Sequence, residues 1–317
     1  MTSTIDKMDK NKLIQDFYKI LDAKGYKGKI ITAKIIPDLQ KAVKKFNDEG
    51  LLDPEFYNKY KKYFEFEPET DFGEVKSLFM VVMPQPQYEI VFNWKNKEVP
   101  LKIPPTYLHG RALINETKEF LTDLLKPSGY SVEFARLPQK TLAVRVGLAE
   151  YGRNNITYIR GMGSFHRLFT FYSDFPYEQD DWQELKMMDQ CKECSACVRK
   201  CPTGAIPKDR FLLRVERCLT FHNEHPADVP FPDWIDPSWH NCLVGCLHCQ
   251  KVCPVNKKVI NWTKPGPTFS EEETKLLVNG TTVENLPEET RSKVEEHDLA
   301  NYLFVYPRNL GVILKRY

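Results

Sequence analysis

The chain has 317 residues, 42% of them hydrophobic and 28% charged, an ordinary balance for a globular protein of two domains or one large and one small. Its net charge of +2 gives no bulk attraction to nucleic acid or to an anionic membrane. No stretch approaches the ~20 consecutive apolar residues of a membrane span. The polar segment 1–12 carries neither an apolar signal core nor a twin-arginine pair, so a cytoplasmic protein is expected.

Residues 11–24 place Leu13, Ile14, Phe17, Ile20 and Leu21 at helical spacing, and Gly25 stops the pattern. A β-branched run at 29–36 predicts the first strand, and a second helix follows over 38–49. Between 53 and 66 the aromatics Phe56, Tyr57, Tyr60, Tyr63, Phe64 and Phe66 read as packing surface on a short helix. Lys41, Lys44 and Lys45, like Lys59, Lys61 and Lys62, read as solvated helix faces. Residues 77–83 are continuously apolar, the mark of a strand buried on both faces. Strands at 88–94 and 99–103 flank Lys95-Asn96-Lys97-Glu98 as a hairpin. A long helix over 107–125, a strand over 131–135 and a helix over 139–148 complete an α/β or α+β unit of normal domain size.

Two glycine- and asparagine-bearing loops then surround a short strand at 156–159. One is Tyr151-Gly152-Arg153-Asn154-Asn155, the other Arg160-Gly161-Met162-Gly163-Ser164. Glycine permits close backbone approach to a ligand, and Asn and Ser offer neutral hydrogen bonds. The aromatic run Phe165, Phe169, Phe171, Tyr172 and Phe175 follows. No phosphate-binding glycine fingerprint is present, so nucleotide cofactors lack sequence support. Beyond the cysteines, helices are predicted at 271–277 and 288–303, with a break at 306–310 and a short apolar end at 312–314.

All nine cysteines lie between 191 and 253. Cys191, Cys194, Cys197 and Cys201-Pro202 form C-x2-C-x2-C-x3-C-P, the bacterial ferredoxin pattern, and Thr203-Gly204-Ala205-Ile206 extends it. Cys218 and Cys242 stand alone, and Cys246, Cys249 and Cys253-Pro254 make a second run. Short gaps let successive thiolates curl round one [4Fe–4S] cube. A zinc site would want two C-x2-C pairs or a Cys/His mix closing one tetrahedron. Disulfides belong to small secreted chains, so the cysteines indicate two clusters in a reducing compartment.

With these residues in view the chain resembles the epoxyqueuosine reductase family, cobalamin-dependent iron–sulfur enzymes distantly related to reductive dehalogenases. The resemblance rests on the first cysteine run and Arg217-Cys218-Leu219-Thr220. It continues in Gly245-Cys246-Leu247-His248-Cys249-Gln250-Lys251-Val252-Cys253-Pro254-Val255-Asn256 and in Pro307-Arg308-Asn309-Leu310. Segments 147–154 and 163–174 resemble two loops of the same family. The resemblance implies an α+β fold in three parts. An N-terminal α/β cobalamin-binding domain with a mixed sheet would occupy 1–180, a ferredoxin-like two-cluster domain 181–260, and a short helical tail packing back on them 261–317.

It also implies that Cys191, Cys194, Cys197 and Cys253 hold one cube and Cys201, Cys218, Cys246 and Cys249 the other, leaving Cys242 spare. Arg111, Tyr151, Gly152, Asn154, Gly163, Ser164, Ser173 and Asp174 would contact cobalamin. An external donor of flavodoxin or ferredoxin type would feed the clusters, which would bring a corrinoid to Co(I) to reduce a small-molecule or modified-nucleoside substrate, tRNA included.

The chain departs from the family at one chemically telling position. Gly110-Arg111-Ala112-Leu113-Ile114 stands where relatives carry G-R-D-Y-H, so Ala112 replaces the family acid and cannot give a proton. Tyr107, His109, Tyr151 and His166 are the remaining candidates. Three activities fit this pattern: an epoxyqueuosine reductase-like enzyme acting on an epoxide or related modified-nucleoside substrate that need not be epoxyqueuosine, a reductive dehalogenase-like enzyme, and a non-catalytic carrier that reduces a corrinoid partner.

Overall fold

The computed structural model describes residues 10–317, so the leader expectation at 1–12 falls largely outside the described residues. Helix α1 (Lys10–Lys24) leads into strand β1 (Lys27–Thr32). The predicted strand over 29–36 ends early because the Thr32 side chain accepts a hydrogen bond from the Lys34 amide and starts a 3-10 turn. Ile35 and Ile36 therefore belong to that turn and to helix α2 (Ile36–Asp48). Helix α3 (Pro54–Tyr60) is short and capped by Asp53.

Strand β2 (Ser77–Pro84) is buried along nearly its whole length. Strands β3 (Gln87–Trp94) and β4 (Lys97–Ile103) form the hairpin, turning through Lys95 and Asn96 with φ of 49° and 60°. Helix α4 (Gly110–Leu125) starts three residues later than predicted, because His109 sits in the left-handed region at φ 59° and breaks helical continuity. Strand β5 (Val132–Phe134), helix α5 (Gln139–Arg145) and strands β6 (Glu150–Tyr151) and β7 (Thr157–Tyr158) follow. The aromatic run is strand β8 (His166–Ser173), unpredicted as such.

The four-stranded sheet has the order β1-β2-β8-β5 and is antiparallel throughout. Alternation along β2 divides the core. Phe79, Val81 and Met83 pack with Leu13, Phe17, Leu21, Leu121 and Leu125 from α1 and α4. Leu78, Met80 and Val82 pack with Leu39 and Leu142 from α2 and α5. Each fully buried side chain of this size contributes about 1.5–3 kcal/mol by leaving water. This is a helix–sheet–helix sandwich with β2 at its centre.

The cysteine region carries short helices α6 (Ala196–Lys200), α7 (Leu219–Asn223) and α8 (His248–Lys251). Strand β9 (Thr263–Phe269) then pairs in parallel with β3, giving a second sheet ordered β4-β3-β9. Helices α9 (Glu271–Asn279), α10 (Glu288–Glu296) and α11 (Tyr306–Leu314) close the chain. The predicted break at 306–310 is instead the first turn of α11, where Pro307 costs no hydrogen bond. The tail buries Leu277, Tyr306 and Leu310 against Ile90, Phe92 and Leu101 of the hairpin. Among the described residues no helix is long and apolar enough to cross a membrane.

Candidate functional site: two thiol-lined cavities

Arg153 organises the first cysteine loop. Its guanidinium donates to the carbonyls of Cys191, Lys192, Cys194 and Lys208 at 2.5–3.3 Å. The loop curls over a small cavity lined by Cys191, Cys194, Cys197 and Cys253, with Gly152 and Pro254 in its wall. A second cavity, about 980 Å³, takes Cys201, Cys218, Cys246 and Cys249 into its lining. All eight are free thiols. Among the described residues no three Cys, His, Asp or Glu side chains close on a single metal ion. One quartet thus shares the lining of the small cavity and the other that of the large one. Burial pushes the Cys249 thiol well above its usual range.

Cys242 joins neither set. It is fully buried, and burial pushes its thiol up to about 12.

Asn154 lines both cavities and so forms part of the wall between them. Its Nδ2 donates to the Tyr158 hydroxyl at 3.0 Å. Ser164 ties the neighbouring loop to the cysteine region: its hydroxyl donates to Gln250 Oε1 and accepts from Asn256 Nδ2, both at 2.8 Å. In the tail, Arg308 donates to the carbonyls of His222 and His225, and Asn309 Nδ2 to those of Asn223 and Leu243. That pair pins α11 to the chain between Cys218 and Cys246.

The large cavity lies between α4, α5, β8 and the cysteine loops. Tyr107 projects into it and donates to Glu224 Oε1 at 2.5 Å. Gly245, at φ 73°, makes room for that ring, because a Cβ there would stand 2.7 Å from the Tyr107 hydroxyl. Burial raises the Glu224 carboxyl above the ordinary carboxylate range. Lys140, exposed to solvent, lines the same cavity. Phe56 and Tyr60 of α3 lie at the wall, with Phe56 edge-on to Phe221 at 6.1 Å.

Of the residues named from the sequence, Arg111, Asn154 and Ser164 line the large cavity and Gly152 the small one. Tyr151, Gly163, Ser173 and Asp174 line neither. Tyr151 bonds Thr141 at 3.1 Å beneath α5, and Asp174 accepts from the Ser131 amide at the far end of β8. Gly163 packs against Asn256, and Ser173 is paired with Ser77 and Val132. Ala112 is exposed on α4 and His109 packs on Tyr88 and His297, so neither lines the cavity. The sequence reading missed Glu224, Lys140, Phe56 and Tyr60. No local pattern flags the first two, whereas the interleaved aromatics and lysines of 56–63 were a signal open to a ligand reading.

His166 lines the cavity but is held neutral. Its Nδ1 lies 3.1 Å from the Gly163 carbonyl and so donates to it, leaving Nε2 to accept from Thr157 at 3.0 Å. Burial depresses its pKa to about 4, and the buried His240 is likewise depressed to about 4. The unfolded chain takes up these protons from about pH 6.5 downward, the folded chain not until about pH 4. Stability from both groups is therefore full above pH 6.5 and is lost as pH falls toward 4, at about 1.4 kcal/mol per unit for each. The urea midpoint should drop between neutral pH and about pH 5. His166→Gln should roughly halve that dependence, and an unchanged slope would contradict the assignment.

Residues 190–256 match the family described as a 4Fe-4S double cluster binding domain. The epoxyqueuosine reductase of Staphylococcus aureus is 30% identical over 128 residues, 40% of this chain and 32% of that protein. That of Bacillus subtilis is 28% identical over 151 residues, 46% of this chain and 37% of that protein. The matched segments thus span about a third of these curated relatives. A solved epoxyqueuosine reductase from Streptococcus thermophilus superposes with a TM-score of 0.67 at 16% identity, covering 95% of this chain and 80% of that one. The chain has the epoxyqueuosine reductase fold. An epoxyqueuosine reductase bound to an epoxyqueuosine-modified tRNA stem loop superposes with a TM-score of 0.64 at 19% identity, over 96% of this chain and 81% of that one.

Proposed function

We propose that this chain is a cobalamin-dependent iron–sulfur reductase resembling epoxyqueuosine reductase. In this reading Cys191, Cys194, Cys197 and Cys253 ligate one [4Fe–4S] cube, and Cys201, Cys218, Cys246 and Cys249 the other. The observation that carries it is the opening of one thiol quartet and one half-buried carboxyl, Glu224, onto the same cavity. At about 980 Å³ that space is at the upper end for small-ligand sites, roughly 300–1,000 Å³, and suits a large, mostly apolar group. A bound corrinoid would supply a strongly reducing, nucleophilic cobalt, fed one electron at a time by the clusters.

The chain's own residues supply position and protons. Removing an epoxide oxygen as water consumes two electrons and two protons. Tyr107 holds Glu224 Oε1, leaving Oε2 free to carry a proton into the cavity. Burial favours the protonated carboxyl that such a donor needs. Glu224 thereby fills the role left open at Ala112. Asn154 separates the two quartets, and Ser164 fixes the adjoining loop.

The aromatics of 56–63 support a nucleoside-bearing substrate over a halogenated small molecule. Phe56 and Tyr60 line the cavity, Tyr63 is 56% exposed, and Lys59, Lys61 and Lys62 alternate with the rings in sequence. Aromatic faces stack bases and lysines meet phosphates, which suits single-stranded RNA.

The test is anaerobic reconstitution followed by titration with hydroxocobalamin. Binding near one equivalent with a shifted visible spectrum, then turnover of an epoxyqueuosine-modified RNA stem loop, is the expected result. Protein holding both clusters but binding no corrinoid would leave the bare electron carrier as the reading.

A further inference from the structure

One short hairpin meets both quartets. Strands β6 and β7 are joined by residues 152–156, a loop closed by the Gly152 amide donating to the Ile156 carbonyl at 2.8 Å. Asn155 turns it at φ 54°. Two side chains of the hairpin reach the cysteines, Asn154 from the loop and Tyr158 from β7, and they are only 3% and 4% exposed. Gly152 lets the two lie together, because a Cβ there would stand 2.5 Å from both Asn154 Oδ1 and Tyr158 Cε2.

Hydrogen bonds orient the pair. The Ile156 amide can only donate, and it donates to Asn154 Oδ1 at 3.4 Å, which fixes Nδ2 as the end facing Tyr158. Nδ2 carries two hydrogens. One goes to the Tyr158 hydroxyl at 3.0 Å, and the other serves the Cys249 sulfur, which Asn154 meets in the large cavity. The Tyr158 oxygen, having accepted from Asn154, has its own proton to place, and Cys253 in the small cavity is its sulfur partner. Burial first, and then the Cys253 sulfur, raise the Tyr158 pKa, so the hydroxyl keeps its proton and donates. By contrast the Thr203 hydroxyl, 3.4 Å from the Cys201 sulfur, serves one quartet alone.

We propose that Asn154 and Tyr158 are positioning residues that act through the ligand sulfurs: Tyr158 donates to Cys253 of one cube, Asn154 donates to Cys249 of the other, and the bond between them completes a chain from quartet to quartet. The inference rests on the two-cluster reading above. A donor on a ligand sulfur stabilises the more negative, reduced state, so it raises the reduction potential of the cube it serves. Reduction adds one electron from an external reductant and breaks no bond, and the protons of Tyr158 and Asn154 stay where they are. Asn154 bears on both quartets, on Cys249 directly and on Cys253 by polarising the Tyr158 hydroxyl.

The experiment titrates the anaerobically reconstituted whole chain with dithionite and redox mediators, followed by electron paramagnetic resonance. Tyr158→Phe deletes one hydroxyl and keeps the ring and the backbone bonds of the hairpin. It should hold about eight iron and lower one of the two potentials by a roughly tenfold change in the reduction equilibrium, about 59 mV for one electron. Asn154→Leu should lower both. Tyr172→Phe removes a buried hydroxyl that donates to the Glu65 carbonyl and lines neither cavity, so it should move neither potential. Two unmoved potentials in Tyr158→Phe, a shift of both alike, or the same shift in Tyr172→Phe overturns the proposal. Loss of a cube in Tyr158→Phe also overturns it, since the hydroxyl would then hold the loop rather than set a potential. Where Asn154→Leu loses iron, Tyr158→Phe decides alone. Unmodified protein that takes up no iron would instead overturn the cluster reading.

Discussion

Replacing Glu224 with glutamine is expected to cost on the order of 10²–10⁴ in turnover while leaving iron content and corrinoid affinity unchanged. Glutamine keeps a carbonyl oxygen for the Tyr107 hydroxyl, so the wall and its hydrogen bond survive. What it lacks is an acidic proton. The native carboxyl is raised by burial, so the active, protonated form persists to higher pH than for an exposed glutamate and the rate falls as pH rises through that raised value. Glu224→Asp should retain part of the rate with a displaced alkaline limb, and Tyr107→Phe should shift the same limb by removing the donor to Oε1. An E224Q enzyme with native turnover would require another acid. Ala112→Asp should restore nothing, since that side chain points away from the cavity to solvent.

The second large effect separates two cysteines that look alike in sequence. Cys249→Ala should lower iron from about eight to about four per chain, by removing one ligand of the cube that faces the large cavity. Cys242→Ala should leave iron at about eight and cost about 1 kcal/mol of stability, the price of a small buried void. Anaerobic iron and sulfide determination reads both. Loss of a whole cube in the Cys242 variant would mean that the ligand sets are drawn wrongly.

Legibility followed sequence distance. The first cysteine run, strand β2 and the hairpin are patterns complete within a dozen residues, so spacing and burial alternation exposed them. Strand β8 was missed although Phe169 and Phe171 face one layer and Tyr172 the other. Its apolar residues fall on both faces, so no period of two stands out along it. The acid was invisible for a different reason. Glu224 is a single carboxylate in a polar stretch, and its meaning comes from Tyr107, 117 residues away. Tyr107 itself was a candidate, but its chemistry needed the partner. Conversely, Ser173 and Asp174 were drawn in by likeness to a family loop, whereas the geometry of β8 carries them to the opposite end from the cavity.

The parallel pairing of β9 with β3 has a consequence for how the protein is made. Gln87 cannot meet Thr263 until the ribosome has delivered the entire cysteine region. The antiparallel sheet needs nothing beyond Ser173 and can form first. The nascent chain therefore passes through a stage with a folded sandwich, an unpaired hairpin and thiols still open to solvent. Closure by β9 and by the Arg308–Asn309 clasp comes last, after closing a loop of high contact order.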